Sequence, residues 1–131
     1  MPGKPLVAIV DDDESMRVTT KDLLESAGLR AAAFASAEEF LNSGLRPSVS
    51  CAIADMRMPG MSGLALHEHL LASGHQVPII LMTAYPNEPV RARALKAGVV
   101  AYLTKPFTDD ELLGCISSAV RPCKQGSTED V

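Results

Sequence analysis

Five side chains able to do chemistry close four apolar runs. Leu6–Val10 ends in Asp11 and Asp12, the run beginning at Val49 ends in Asp55, Ile79–Met82 ends in Thr83, and Val99–Leu103 leads through Thr104 to Lys105. An apolar run that stops at a polar residue before a loop reads as a buried strand ending at its carboxyl edge. Brought to one point, three carboxylates repel one another and are driven towards protonation unless a cation compensates them. An all-oxygen donor set suits a hard divalent ion, and Mg2+ fits better than Ca2+ because few protein ligands leave positions open for water and a phosphoryl oxygen. Lys105 adds positive charge without being a ligand, and Thr83 adds a hydroxyl. Such a set can hold a planar phosphoryl group in transfer, with Asp55 as nucleophile and an acyl phosphate as product. Taken alone, Asp55 reads as well as a turn cap. Only convergence with the others decides between the two readings.

The elements that must deliver these groups follow in chain order. After the first strand, Met16, Leu23, Leu24 and Ala27 recur at helical spacing from Ser15 to Ala27, with Gly28 as the stop. Asp13 and Glu14 are helix-start charges favoured by the macrodipole. Leu29–Ala35 is a short strand, and Ser36 to Glu39 forms a capping box before a helix carrying Phe40 and Leu41, closed by Ser43-Gly44. Leu64–Ser73 is helical with Leu66, Leu70 and Leu71 inward, and Pro89–Ala97 is a helix with Val90, Ala94 and Ala97 on one face. Val99–Leu103 is the fifth strand. Thr108 to Glu111 forms a second capping box before a helix carrying Leu112, Leu113, Ile116, Ala119 and Val120. Five strands alternating with five helices predict an α/β fold, a doubly wound parallel sheet of flavodoxin-like order 2-1-3-4-5. In that order Asp11 and Asp12 meet Asp55 in one crevice, and Thr83 and Lys105 approach from the fourth and fifth strands.

Composition narrows the function classes. At 131 residues, with 47% apolar and 21% charged residues, the chain reads as one soluble globular domain. A net charge of -4 without a basic run argues against direct nucleic-acid binding. Cys51, Cys115 and Cys123 are odd in number and widely spaced, which suggests neither a disulfide framework nor a CxxC site. No stretch approaches the roughly 20 apolar residues that cross a bilayer, and Met1–Pro5 does not open a secretory signal. A cytoplasmic protein without membrane association is expected. His67, His69 and His75 read as solvent-facing, since i,i+2 spacing separates His67 from His69 around a helix. Met56, Met58 and Met61 read as loop packing, with no cysteine or histidine beside them to make a soft-metal site.

Four segments carry a family resemblance: Val10-Asp11-Asp12, Asp55-Met56-Arg57-Met58-Pro59 with Gly63 following, Met82-Thr83-Ala84, and Lys105-Pro106-Phe107. In this order and at these intervals they closely resemble the receiver domain of two-component response regulators, from about Leu6 to Val120. The resemblance implies that residues 6–120 are a receiver domain, after an N-terminal extension (1–5) and before a flexible tail or linker (121–131). It implies that Asp55 accepts a phosphoryl group from a phosphohistidine on a histidine kinase or histidine phosphotransfer protein. It further implies that Asp12, Asp55 and the backbone carbonyl of Arg57 bind Mg2+ directly, with Asp11 acting mostly through water. Thr83 would bond the phosphoryl oxygen and Tyr102 would change rotamer with it, relaying the change to the face of the fourth helix, fifth strand and fifth helix. A cis Lys105-Pro106 peptide is implied too, and Arg57 and Tyr85 occupy positions that tune phosphoryl lifetime in the family. Pro86 and Pro89 depart from the family's more flexible loop.

Partners expected at that face are a second copy of the chain or a downstream protein, with a DNA-binding output domain beyond Val131 as a further reading. Substrate turnover is not expected. Two alternatives remain: a Mg2+-dependent phosphatase using Asp55, disfavoured because such enzymes want an acid where Arg57 stands, and a binding module that is never phosphorylated.

Overall fold

Apolar runs with little room for polar residues form the middle of one parallel sheet. β1 (Leu6–Val10), β3 (Cys51–Asp55) and β4 (Ile79–Thr83) are buried along their whole length. β2 (Arg30–Phe34), which buries only Phe34, and β5 (Ala101–Thr104), which is half-buried to exposed along its length, take the edges. The order is β2-β1-β3-β4-β5 and every pairing is parallel, as the alternation of elements predicts. This computed structural model describes residues 5–45, 48–58, 60–74 and 77–120. His75, Cys123, Pro59 of the Asp55 segment and the tail from residue 121 lie outside them.

Caps fix where the helices begin. Asp13 caps α1 (Glu14–Ser26), its carboxylate accepting the Ser15 N–H at 2.9 Å. Ser36 caps α2 (Ala37–Asn42), while Glu39 reaches back one residue further than expected, to the Ala35 N–H at 3.0 Å. Ser62 caps α3 (Gly63–Ala72) and Asn87 caps α4 (Glu88–Lys96), in which Pro89 fills the first turn. Before α5 (Asp109–Val120) the box is reciprocal: Thr108 Oγ1 accepts from Glu111 N at 3.0 Å and Glu111 Oε1 from Thr108 N at 2.8 Å.

Strand alternation divides the core in two. Ala8, Val10, Leu81, Phe40, Leu66 and Leu70 belong to one layer, where the Phe34 and Phe40 rings meet at 5.3 Å. Val7, Ile9, Ile53, Met82, Leu24 and Leu112 belong to the other.

Several expectations need correction. Val99 does not begin the fifth strand: its N–H closes on Ala94 O at the end of α4, and pairing starts at Ala101. Leu71 is 50% exposed rather than inward, and Ala27 is exposed as well. The inward arc of α3 runs through Gly63, Leu64, Leu66, His67 and Leu70. His67, expected in solvent, therefore occupies the core edge at 4% exposure. His69 is exposed as expected.

Gly63 lets α3 start directly against the end of β3. A Cβ there would meet the Asp55 carbonyl oxygen at 2.7 Å and Leu81 Cδ2 at 2.8 Å. Gly114, inside α5, has nothing within 4 Å of its Cβ position. Opposite signs follow for the same chemical change. Gly63→Ala lowers unfolding free energy by about 1–3 kcal/mol through overpacking, and Gly114→Ala raises it by about 0.5–1 kcal/mol through helix propensity. Urea denaturation of both variants measures the contrast.

Candidate functional site

Register alone brings the acids level. Val10 pairs with Ala54 and Asp55 with Met82, so Asp11, one step beyond β1, arrives beside Asp55 at the carboxyl edge of the sheet. The Lys105 N–H donates to Thr83 O at 2.7 Å, which draws the end of β5 to the same rim.

Asp11 is fully buried and held on both sides. Its Oδ1 accepts the Asp13 N–H at 2.9 Å, its Oδ2 lies 3.3 Å from Lys105 Nζ, and its backbone oxygen accepts from Arg17 Nη1 at 2.8 Å. Asp55 is 8% exposed; Oδ1 accepts the Arg57 N–H at 2.8 Å and Oδ2 accepts from Lys105 Nζ at 2.7 Å. Asp12 is open to solvent, yet it offers an oxygen to the cluster. Carboxylate oxygens of Asp11, Asp12 and Asp55 lie within 4.8 Å of one another. The Lys105-Pro106 peptide that follows the ammonium is cis.

Burial and charge act against each other here. Desolvation pushes the Asp11 carboxyl above its ordinary value of 3.8, against the Asp13 N–H and the Lys105 charge, and the Asp55 charge pushes the same way as burial. For Lys105 burial favours the neutral amine, but the hydrogen bond to Asp55 and the charges of Asp11 and Asp55 together prevail, and its pKa is raised. Lys105 is thus firmly an ammonium.

Thr83 and Tyr102 meet beside this cluster. Thr83 is buried and its Oγ1 accepts the Tyr85 N–H at 3.0 Å. With Met56, Arg57 and Val90, both residues line a cavity of about 290 Å³. Tyr102 is half-buried there. Across the same loops the Arg57 guanidinium stacks 4.6 Å from the Tyr85 ring centre, a cation–π contact joining the segment after Asp55 to the segment after Thr83. Asp11, Asp12, Asp55 and Lys105 are thus brought together, and Thr83 and Tyr102 adjoin them through the two residues that follow Asp55.

Three supports escape sequence reasoning. Arg17 grips the Asp11 backbone. Glu38 of α2 accepts the Met61 N–H at 3.3 Å and so steadies the loop after Asp55, at a separation of 23 residues that leaves no local signal. His67 carries a signal only once its helix face is known.

This geometry agrees with what comparison with known proteins finds. The sequence matches the response regulator receiver domain family over residues 7–117. It is 40% identical over 120 residues to the response regulator protein TodT of Pseudomonas putida, covering 92% of this chain and 53% of TodT. It is 37% identical over 131 residues to the transcriptional regulatory protein FixJ of Azorhizobium caulinodans, covering 99% of this chain and 62% of that one. The chain thus spans roughly half to three-fifths of the length of these curated relatives. Among solved structures, the response regulator StyR superposes with a TM-score of 0.85 at 40% identity, over 94% of this chain and 62% of that chain. FixJ-N superposes with a TM-score of 0.81 at 30% identity, over 98% and 100%. Fold, rim and sequence agree: this chain belongs to the receiver domains of two-component response regulators.

Proposed function

We propose that Asp55 is the phosphoacceptor of a signalling receiver, taking its phosphoryl group from a phosphohistidine on a histidine kinase or histidine phosphotransfer protein. The observation that carries this reading is the position of the Lys105 ammonium, 2.7 Å from Asp55 and 3.3 Å from Asp11, beside a third carboxylate. One ammonium among three acids leaves the rim short of positive charge, and the cost of burying Asp11 ionised is what a bound cation relieves. The all-oxygen donor set fits Mg2+, held by Asp11, Asp12, Asp55 and the Arg57 backbone carbonyl. Such an ion would offset charge on the phosphoryl oxygens during transfer.

The chain's own residues do the rest. An Asp55 carboxylate oxygen forms the bond to phosphorus as the P–N bond of the donor breaks, and the electron pair stays on the imidazole nitrogen. Asp55 then surrenders its carboxylate charge to the new phosphoryl oxygens, and Lys105 follows that charge. The Thr83 hydroxyl donates to one phosphoryl oxygen, Tyr102 turns into the space this movement leaves, and the surface of α4, β5 and α5 changes shape. That surface serves a second copy or a downstream protein, and an output domain beyond Val131 would read the same change. The chain acts as a switch and does not turn over a substrate.

Two experiments test this. Incubation with acetyl phosphate or phosphoramidate and Mg2+ adds one phosphoryl mass to wild type, none to Asp55→Asn, and none in excess EDTA. Lys105→Ala slows the gain by about 10²-fold or more, the size of losing one charge-stabilising donor. Mass added at another residue, or sustained hydrolysis of small phosphate esters, overturns the reading.

The second uses Asp11. Its folded pKa lies above the unfolded value of 3.8, so the folded chain holds this proton more tightly, and the associated stability is full below 3.8 and lost as pH rises through the raised value. Without metal, Asp11→Asn therefore melts a few degrees above wild type at neutral pH, and the gap narrows as pH falls towards 3.8. Saturating Mg2+ reverses the order. Melting curves in EDTA and in Mg2+ across that range check both signs.

A further inference from the structure

Of the helices, α4 is the one least held by the core. Among its nine residues only Ala94 is buried, whereas every other helix buries at least two. Its two ends differ in what surrounds them. At the N-terminal end Asn87 and Val90 border the cavity of about 290 Å³ that Thr83 and Tyr102 also line. That end has space to move into. At the C-terminal end, His67 Nε2 of α3 lies 2.9 Å from the Ala97 carbonyl oxygen. A carbonyl only accepts, so Nε2 carries the proton and donates, and Nδ1 is the bare nitrogen. Nδ1 is buried and finds no hydrogen-bond partner among the described residues.

An unpaired buried nitrogen is a standing cost that a leucine in the same arc of α3 would avoid. What the imidazole provides in return is its other nitrogen, which satisfies one of the carbonyls left open at the end of α4. The neighbouring Arg93–Glu68 contact, at 4.0 Å between exposed side chains, is screened by solvent and adds little. We infer that His67 is the pivot of α4: it pins the C-terminal end of the helix to α3, so that displacement of α4 swings the N-terminal end across the Thr83–Tyr102 cavity. The pin is a property of the unmodified protein; only the event that drives the swing rests on Asp55 phosphorylation.

Amide hydrogen exchange by NMR tests the pin first in unmodified protein. The Ala97, Gly98 and Val99 amides close on Arg93, Leu95 and Ala94 carbonyls and report the C-terminal end, while the Arg91 amide, bonded to Asn87 O, reports the other. In His67→Phe the first group exchanges at least tenfold faster than in wild type, and Arg91 keeps its rate after correction for global stability. His67→Gln, which retains an N–H donor, restores most of the protection. Equal rates in all three proteins, or equal loss in both variants, overturn the pivot. Should His67→Phe fail to fold, the imidazole nitrogen spectrum of wild type decides: an Nε2–H tautomer with a slowly exchanging proton supports the pin, and an Nδ1–H tautomer overturns it.

Beryllofluoride with Mg2+, as a phosphoryl analogue, then supplies the drive. In wild type it changes protection at Val90 and Arg91 and leaves Ala97 to Val99 unchanged; equal change at both ends overturns the pivot. If the Asp55 and Thr83 amides do not respond at all, the phosphoryl reading fails, and the pivot is decided by the unmodified proteins alone.

Discussion

One ammonium between two buried carboxylates holds the carboxyl edge of this sheet together. Lys105 reaches Asp55 and Asp11 from β5, so a single side chain ties the ends of β1, β3 and β5. The pKa of Lys105 and that of Asp11 both move upward, which looks contradictory for an ion pair, since an isolated pair would pull the acid down. The resolution is that burial governs the acid and charge governs the amine. For Asp11, desolvation outweighs the Asp13 N–H and the Lys105 charge, with the Asp55 charge pushing the same way as burial; for Lys105, the hydrogen bond to Asp55 and the charges of Asp11 and Asp55 outweigh desolvation. A cation bound at this rim would relieve the cost of holding Asp11 ionised.

That arrangement depends on backbone placement more than on the side chains themselves. Parallel register sets Asp11 level with Asp55, and the Asp13 N–H, two residues on where the chain turns into α1, fixes the Asp11 carboxylate. On the far side of Asp55, the Arg57 N–H orients Oδ1, and Gly63 allows α3 to approach the Asp55 carbonyl closely enough to leave no slack. Stability and function are therefore coupled at this edge. A methyl group at residue 63 would disturb the strand end that positions Asp55, the proposed phosphoacceptor.

The sheet and the cluster were legible in the sequence because both arise from one local signal, an apolar run stopped by a polar residue. Asp11, Asp55, Thr83 and Lys105 each carry that signal, and the βα alternation supplies the topology that joins them. Boundaries were less legible where a run continues past its strand, as at Val99, which is apolar because it seals α4. His67 and Leu71 exchanged their expected places for a related reason. Polarity suggests that the imidazole faces water, but helical phase, set by Leu66 and Leu70, turns residue 67 inward and leaves residue 71 outside. Glu38 reaching Met61 and Arg17 reaching Asp11 depend on tertiary approach and leave no periodic trace.

Under the proposed phosphorylation, the hydroxyl of Thr83 would link the rim to α4 in a way that charge alone would not. Its oxygen already accepts the Tyr85 N–H, which leaves its proton available to a phosphoryl oxygen without breaking that bond. A shift of Thr83 towards Asp55 would therefore carry the Tyr85 backbone with it. Tyr85 is two residues from Asn87, the cap of α4, and Pro86 stiffens the step between them. A short stiff segment transmits displacement where a flexible one would absorb it. Because α4 buries one residue, such a displacement would meet little resistance from the core, and under the proposed pivot the hydrogen bond at Ala97 would turn it from a translation into a rotation.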